Sequence, residues 1–424
     1  MDSPTLLSEL AFSTPETFFA YCQENANTTG VVPHPSIGGA YAPPARLNAL
    51  EARVRSNSGY AGHEAVFFQA NALSGCLFFV FVHNTVRGMA QGGTRLMAYD
   101  TLDDLLYDGL RLSRAMTEKN AVAELWWGGG KAIICPVDGL ANIDAERRKC
   151  IFEQYGAFVA SLNGVYVAAE DMNTTPEDML TILSADRFVT CLPPRAGGSS
   201  NPSPWTAKGV FKAMLATVRH VEGRDSLAGM SVLVQGVGNV GHTLARLAAG
   251  AGASILAADP NPRAIEALQN ALPEVTVVSG DQLFDTPCDI FAPSARGGVI
   301  DRVAVEKLRC RYVIGAANNQ LVDDAEQSRQ LQARNIVYLP DFFINRMGII
   351  NCANEQYGYL EADLNTAVEK IYADVQWLLK TAGAKHQTPY QVAIEQAKKL
   401  AAIPHPIWGH RGVRIIQDLL QRKF

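Results

Sequence analysis

The stretch Leu125–Ile134 reads LWWGGGKAII, three glycines running directly into Lys131. A glycine-rich loop ahead of a lysine is one way to cradle a phosphate. That motif needs a glycine five residues before the final one and a Ser or Thr after the lysine. Leu125 and Ala132 hold those places, which excludes a phosphate loop. Two readings remain: a structural turn carrying a solvated lysine, or a lysine held against a small ligand. Lys119, in MTEKNA at the end of an amphipathic segment, is a second amine, and Asp171, in AAEDMNTTPEDM after the apolar stretch GVYVAA, is a candidate carboxylate. Asp178, on the helix that follows, competes with it.

A second constellation lies downstream. GVGNVG sets Gly236, Gly238 and Gly241 in the G-x-G-x-x-G register, with Asn239 and Val240 between the last two. The first glycine makes a tight turn. The second lets backbone approach a pyrophosphate over a helix N-terminus, and the third lets helix and strand pack closely. An apolar strand precedes the motif, a helix opens on it, and Asp259 ends the next strand. Asp259 lies 21 residues past Gly238 (259 − 238), near the spacing expected of a ribose 2′-hydroxyl contact. A carboxylate there repels a 2′-phosphate and favours NAD over NADP, while nearby Arg263 tempers that preference. A nicotinamide brings hydride chemistry with it, so the upstream 200 residues are left to supply a substrate site.

The elements that position these groups follow from pattern. The 424-residue chain allows two or more domains, and 48% hydrophobic with 19% charged residues is an ordinary globular balance. A net charge of −5 gives no basic footprint for nucleic acid, and no window of about 18 apolar residues suggests a membrane span. MDSPTLLSEL lacks the basic start and apolar core of a secretory signal. The eight cysteines form no C-x-x-C pair and the eight histidines no H-E-x-x-H cluster, so free thiols, a cytoplasmic location and no metal are expected.

STPETFFAYCQEN (13–25) predicts a helix capped by Ser13 or Thr14, and the Pro/Gly-rich segment 30–47 a connecting arm. Residues 64–84 read as two strands with a turn near Ser74-Gly75, and 101–121 and 147–164 as helices. From about 204 the pattern becomes strand, turn, helix, strand, opening on a helix with Ser203 as N-cap and Pro204 at its first position. Short apolar strands recur to 344, as in a doubly wound sheet, and the tail is helical.

GGTR (92–95), DGLRLSRAMTEKNA (108–121), GGGKAII (128–134), AAEDMNTT (168–175), NPSPWTAKGV (201–210), GVGNVG, CDIFAPSA (288–295) and GAANNQL (315–321) occur in this order. As a set they resemble the leucine/phenylalanine/valine branch of the amino-acid dehydrogenases, which is similar to glutamate dehydrogenase. The resemblance covers about residues 62 to 424. It implies a two-domain α/β fold: an N-terminal substrate and oligomerisation domain and a Rossmann dinucleotide-binding domain, with the active site in the cleft between them. The expected boundaries are an arm at 1–55, a substrate domain at 56–203 completed by helices at 345–424, and an NAD-binding domain at 204–344.

The resemblance also implies roles. Lys119 binds the substrate α-carboxylate. Lys131 activates the water that attacks an imine carbon, which requires burial and a nearby cation, such as Lys119, to lower its pKa. Asp171 trades a proton with the substrate amine. Thr206, Ala292 and Asn318 fall at cofactor positions. The expected activity is reversible oxidative deamination of an L-amino acid to a 2-oxo acid and ammonium by a homo-oligomer using NAD.

Three departures stand against the family pattern. Arg346 and Met347, in DFFINRMGIIN, replace a pair of small residues beside the substrate. Trp126 and Trp127 add bulk and are expected to pack under the glycines. The N-terminal arm is extra, and either a subunit interface or the cleft is available for it to cover. These departures keep two other readings open: a biosynthetic tailoring enzyme on the same scaffold, and a nucleotide-binding protein without catalysis. Lys119, Lys131 and Asp171 count against the latter. For substrate, the glutamate branch carries a lysine where this chain has Gln91. The other pocket positions are Met116, Ala169, Ile349 and Cys352, so a neutral side chain is expected, with room for one hydrogen-bonding group at Gln91. Arg346, if turned into the pocket, would restore an acidic preference.

Overall fold

The structure, a computed structural model, describes residues 12–25, 28–38 and 47–422. The chain divides into two compact units, Met1–Ser200 with Lys399–Phe424, and Asn201–Lys398.

The first unit is built on a six-stranded mixed sheet of order β1-β2-β3-β5-β4-β6. Its strands are β1 (Thr29–Pro33), β2 (Ala65–Asn71), β3 (Cys76–Asn84), β4 (Ala90–Leu96), β5 (Gly128–Pro136) and β6 (Tyr166–Glu170). β1, β2, β3 and β5 pair antiparallel, and β4 lies parallel between β5 and β6. β3 reads CLFFVFV with no polar break because both of its faces are covered. Helix α1 (Pro15–Glu24) packs its Phe18 among Phe12, Phe68 and Phe79 on one face. Its cap is Thr14, which forms a reciprocal capping box with Thr17. On that face too lie Leu102, Leu105, Leu106 and Leu110 of the long helix α2 (Leu102–Val122). Residues 30–33, expected to open a connecting arm, instead belong to edge strand β1. Val31 and Val32 are buried there, and pairing with β2 outweighs the local Pro/Gly signal. Part of that arm, and the first eleven residues, lie outside the described residues.

The second unit is a parallel sheet of order β12-β11-β10-β7-β8-β9. β7 (Ser231–Gln235), helix α3 (Asn239–Gly250) and β8 (Ser254–Ala258) form the first crossover. β9 (Thr276–Val277), β10 (Ile290–Pro293), β11 (Tyr312–Val313) and β12 (Val337–Tyr338) complete the doubly wound layout. Helix α4 (Ser203–Glu222) opens this unit, but Ser203 is its first residue rather than its cap. The Ser203 N–H donates to Asn201 Oδ1 at 2.9 Å. Helices α5 (Met347–Asn354) and α6 (Glu361–Lys385) pack on α4 in this same unit. The chain rejoins the first unit at Lys399, later than the expected 345. That return is tied by Arg87, which donates to Leu400 O at 2.9 Å, and by His410, 2.9 Å from Glu64. Among the described residues no helix is long and apolar enough to cross a membrane, and no His/Cys/Asp/Glu group is placed to hold a metal.

α2 is held to the sheet by a buried histidine. His63 Nε2 donates to Leu110 O at 2.9 Å and lies 3.0 Å from Ser113 Oγ, while Nδ1 accepts the Ala61 N–H at 3.3 Å. Both nitrogens are used by the neutral ring, whose edge meets His83 at 4.8 Å. Burial, partly offset by the Leu110 carbonyl and reinforced by Arg114, pushes the His63 pKa down from 6.5 to about 4. The unfolded chain therefore binds the extra proton between pH 6.5 and 4. The stability His63 contributes is present above pH 6.5 and is lost as the pH falls through that window, by about 1.4 kcal/mol per pH unit. Urea midpoints of the wild type and His63→Phe, compared from pH 7 to 4.5, are expected to show a shallower decline in the variant; parallel declines contradict the assignment.

Candidate functional site

The glycines before Lys131 do not form a turn. They are the first residues of β5, buried throughout and lodged between β3 and β4. Their smallness answers to α2, which lies directly on the strand. A Cβ on Gly129 would sit 2.0 Å from Thr117 Oγ1, 2.3 Å from Thr117 N and 2.6 Å from Ser113 O. Strand alternation then puts Lys131 on the same sheet face as Gly129. Register adds Gln91, Gly93 and Arg95 of β4 and Ala169 of β6, since Gln91 faces Gly129 and Gly93 faces Ala169.

Asp171 follows β6 on that face, its backbone fixed by Thr174, whose Oγ1 accepts the Asp171 N–H at 2.8 Å. Gly93 leaves room for it: a Cβ there would meet Asp171 Cβ at 2.6 Å. Lys131, 5% exposed, donates from Nζ to Asp171 Oδ2. Burial lowers the Lys131 pKa from its ordinary 10.5. Asp171 pulls it back up, and Arg95 pushes it further down. Burial also acts to raise the Asp171 carboxyl, but Lys131 and Arg95 outweigh it and hold the pKa down at about 2. Arg95 Nε lies 3.5 Å from Asp171 Oδ2, and its Nη1 is anchored on Asp108 Oδ2 at 2.6 Å. The cation acting on Lys131 is thus Arg95, a part the sequence reading gave to Lys119. The GGTR motif carried the signal, but only the register brings Arg95 to the pair. Asp178, the competing carboxylate, is accounted for by the cap of helix Pro176–Leu183 and by Arg148 at 2.6 Å.

Met116 and Lys119 lie on α2, both half-buried, three residues apart and so on one helix face. Ala169 is buried beside Gly93. Gln91 is 0% exposed, and neither Oε1 nor Nε2 has a hydrogen-bond partner. Trp127 is buried as expected, but Trp126 is 39% exposed, with Arg87 stacked 4.4 Å above it. Glu170, unnoticed in the sequence, is pushed up to about 7 by burial and then by Asp171, Asp178 and Glu177.

In the second unit Gly236 has φ of 86°, which its tight turn requires, and its N–H donates to Ala258 O at 2.7 Å. A Cβ on Gly241 would lie 1.9 Å from Gly236 O. Gly238 differs, with an ordinary φ of −66° and nothing within 4 Å of a built Cβ. The fold itself does not require glycine there, and the missing side chain leaves the backbone at the N-terminus of α3 open to approach. Asp259 is locked by two backbone N–H groups, Val237 to Oδ2 and Asn261 to Oδ1, each at 2.8 Å. Asn239 and Val240 begin α3.

Thr206 Oγ1 donates to Pro202 O at 3.1 Å on α4. Asn318 is exposed and its Oδ1 accepts from Asn345 Nδ2 at 2.8 Å, a partner missed in the sequence. Ala292 is fully buried within β10. Ile349 and Cys352 are buried on α5. Arg346, 2% exposed, pairs with Asp374 of α6 and donates to Phe343 O at 2.8 Å. It is built into the helix packing, as is Met347, which fills the space beside Gly209.

A parallel sheet with this glycine turn has the layout of a dinucleotide-binding domain, and a buried lysine–carboxylate pair is equipped to move protons; together they describe an oxidoreductase. Residues 72–187 match the family described as "Glu/Leu/Phe/Val dehydrogenase, dimerisation domain", and 197–262 and 259–398 match "Glutamate/Leucine/Phenylalanine/Valine dehydrogenase". The chain belongs to this family and is an amino-acid dehydrogenase. It is 37% identical to the leucine dehydrogenase of Bacillus subtilis over 75% of this chain and 85% of that protein. It is 34% identical to the phenylalanine dehydrogenase of Lysinibacillus sphaericus over 80% and 88% of the two chains. The crystal structure of L-tryptophan dehydrogenase from Nostoc punctiforme is similar at 33% identity and a TM-score of 0.66, covering 80% of this chain and 96% of that one. Dehydrogenases of this family generally use a nicotinamide cofactor.

Because the Gly129 contacts include backbone of α2, Gly129→Ala is expected to lower stability by about 1–3 kcal/mol, read as a fall in the urea midpoint. An unchanged midpoint contradicts the close approach.

Proposed function

We propose that this protein is an NAD-dependent L-amino-acid dehydrogenase that reversibly deaminates a neutral amino acid to a 2-oxo acid and ammonium. The observation that carries it is the buried Lys131–Asp171 pair on a glycine strand. Lys119 is the cation for the substrate α-carboxylate, one turn along α2 from Met116. Asp171, anionic because of Lys131 and Arg95, accepts a proton from the substrate ammonium and so frees the amine lone pair. Lys131 takes a proton from the water that adds to the substrate imine carbon, and burial suits it to release that proton again. Gly236, Gly238, Asn239, Val240 and Gly241 would hold the pyrophosphate, Asp259 the adenosine ribose, and Thr206 and Asn318 the nicotinamide end. Bound there, the nicotinamide supplies the hydride acceptor. The fixed carboxylate of Asp259 disfavours a 2′-phosphate.

A neutral substrate is favoured by the residues expected to meet its side chain. Gln91, Met116 and Ala169 of the first unit carry no charge to pair with a glutamate side chain, nor do Ile349 and Cys352 of the second, and an unpaired buried charge is costly. Arg346, the one residue that threatened this reading, is committed to Asp374. With it goes the main support for a tailoring reaction. A homo-oligomeric state, in keeping with a dimerisation domain at 72–187, and a cytoplasmic location complete the proposal.

The test is reduction of NAD or NADP, read at the NADH absorbance, with leucine, phenylalanine, tryptophan and glutamate. The expected result is NAD preferred and glutamate poorest. Lys131→Ala should lose more than about tenfold in turnover, or 1.4 kcal/mol of barrier, while still binding NAD. Glutamate as the best substrate, NADP used equally well, or Lys131→Ala retaining more than about a tenth of turnover would each overturn the corresponding part.

A further inference from the structure

Gln91 is anomalous within the first unit. It is the second residue of β4, between Gly129 of β5 and Val167 of β6, at 0% exposure. A buried carboxamide ordinarily satisfies its donor and its acceptor. Here Oε1 and Nε2 both lack a partner, so the side chain holds two directional groups with nothing in the protein to receive them. Removing it would cost the fold nothing, since a leucine of similar volume leaves no polar group behind. Its position supplies the reason for its presence. Gln91 is on the sheet face of Lys131 and Ala169, two residues from Gly93, over which Asp171 lies. Two strand residues span about 7 Å. That distance separates the carbon where the Lys131–Asp171 pair works from the far end of an aromatic side chain.

We propose that Gln91 determines substrate specificity, its carboxamide receiving an uncharged aromatic side chain that carries its own N–H or O–H, an indole or a phenol. Oε1 accepts from the indole N–H or the phenol O–H, and Nε2 donates to the phenol oxygen. A purely hydrocarbon side chain leaves both polar atoms of Gln91 unpaired, and sites with a buried group left unpaired discriminate strongly. This rests on the amino-acid dehydrogenase reading with Lys131 and Asp171 at the reacting carbon.

Two matched substrate pairs isolate the contact: tyrosine against phenylalanine, and tryptophan against 1-methyltryptophan. In the wild type kcat/KM is expected to favour the N–H or O–H member of at least one pair by about tenfold or more. Gln91→Leu and Gln91→Met should abolish or reverse that ratio, lowering kcat/KM for the N–H or O–H member more than for its matched partner, and raise Tm, because an unpaired buried amide has gone. Ratios unchanged in both variants, or a lowered Tm with all substrates equally impaired, assign Gln91 to an internal water or to packing and overturn the proposal. If no amino acid reduces NAD in the wild type, the underlying reading fails and this inference fails with it.

Discussion

The site depends on one steric constraint: α2 lies with its backbone against β5, and only hydrogen at position 129 permits it. Because the helix is that close, the first turn of space above the strand excludes water, and Lys131 emerges into a dry environment. An amine there is costly to ionise alone. The chain answers with Asp171, given room by a second glycine, Gly93, and with Arg95, anchored in turn by Asp108. Desolvation favours the neutral amine, the carboxylate favours the ammonium, and the arginine keeps the carboxylate ionised. A group balanced between such opposing effects is suited to gain and lose a proton repeatedly.

The second unit solves a different problem with the same residue type. Gly236 and Gly241 are imposed by the turn and by helix–strand contact, whereas Gly238 is not required by any neighbour. Asp259 ties the turn to the end of β8 through Val237 and Asn261. The helices that follow are committed to packing, and Arg346 among them is neutralised by the half-buried Asp374.

Features whose physics is local were legible in the sequence. GVGNVG carries its steric reasons within six residues, the α1 cap falls on Thr14, one of the two residues expected for it, and the stop after residue 161 is set by Asn163-Gly164. Features decided by distant partners were not. The glycines at 128–130 looked like a turn because the backbone of α2 that requires them is specified elsewhere. Arg346 looked like a pocket residue because Asp374 lies 28 residues further on (374 − 346). β1 was hidden by Pro and Gly until β2 offered it hydrogen bonds. Asn201 rather than Ser203 meets the start of α4, a shift of two residues that propensity does not resolve. The return to the first unit at Lys399 rests on Arg87 and His410, whose partners no periodicity reveals.

Burial, held against the pull of Asp171, lowers the affinity of Lys131 for its proton. The most direct test is the titration of the Lys131 Nζ by NMR in protein carrying isotope-labelled lysine, assigned by the loss of one resonance in Lys131→Arg. The expected midpoint lies below the ordinary 10.5 and moves lower again in Asp171→Asn, where the group that raises it is gone. A midpoint at or above 10.5, or one that rises when Asp171 is removed, would contradict this.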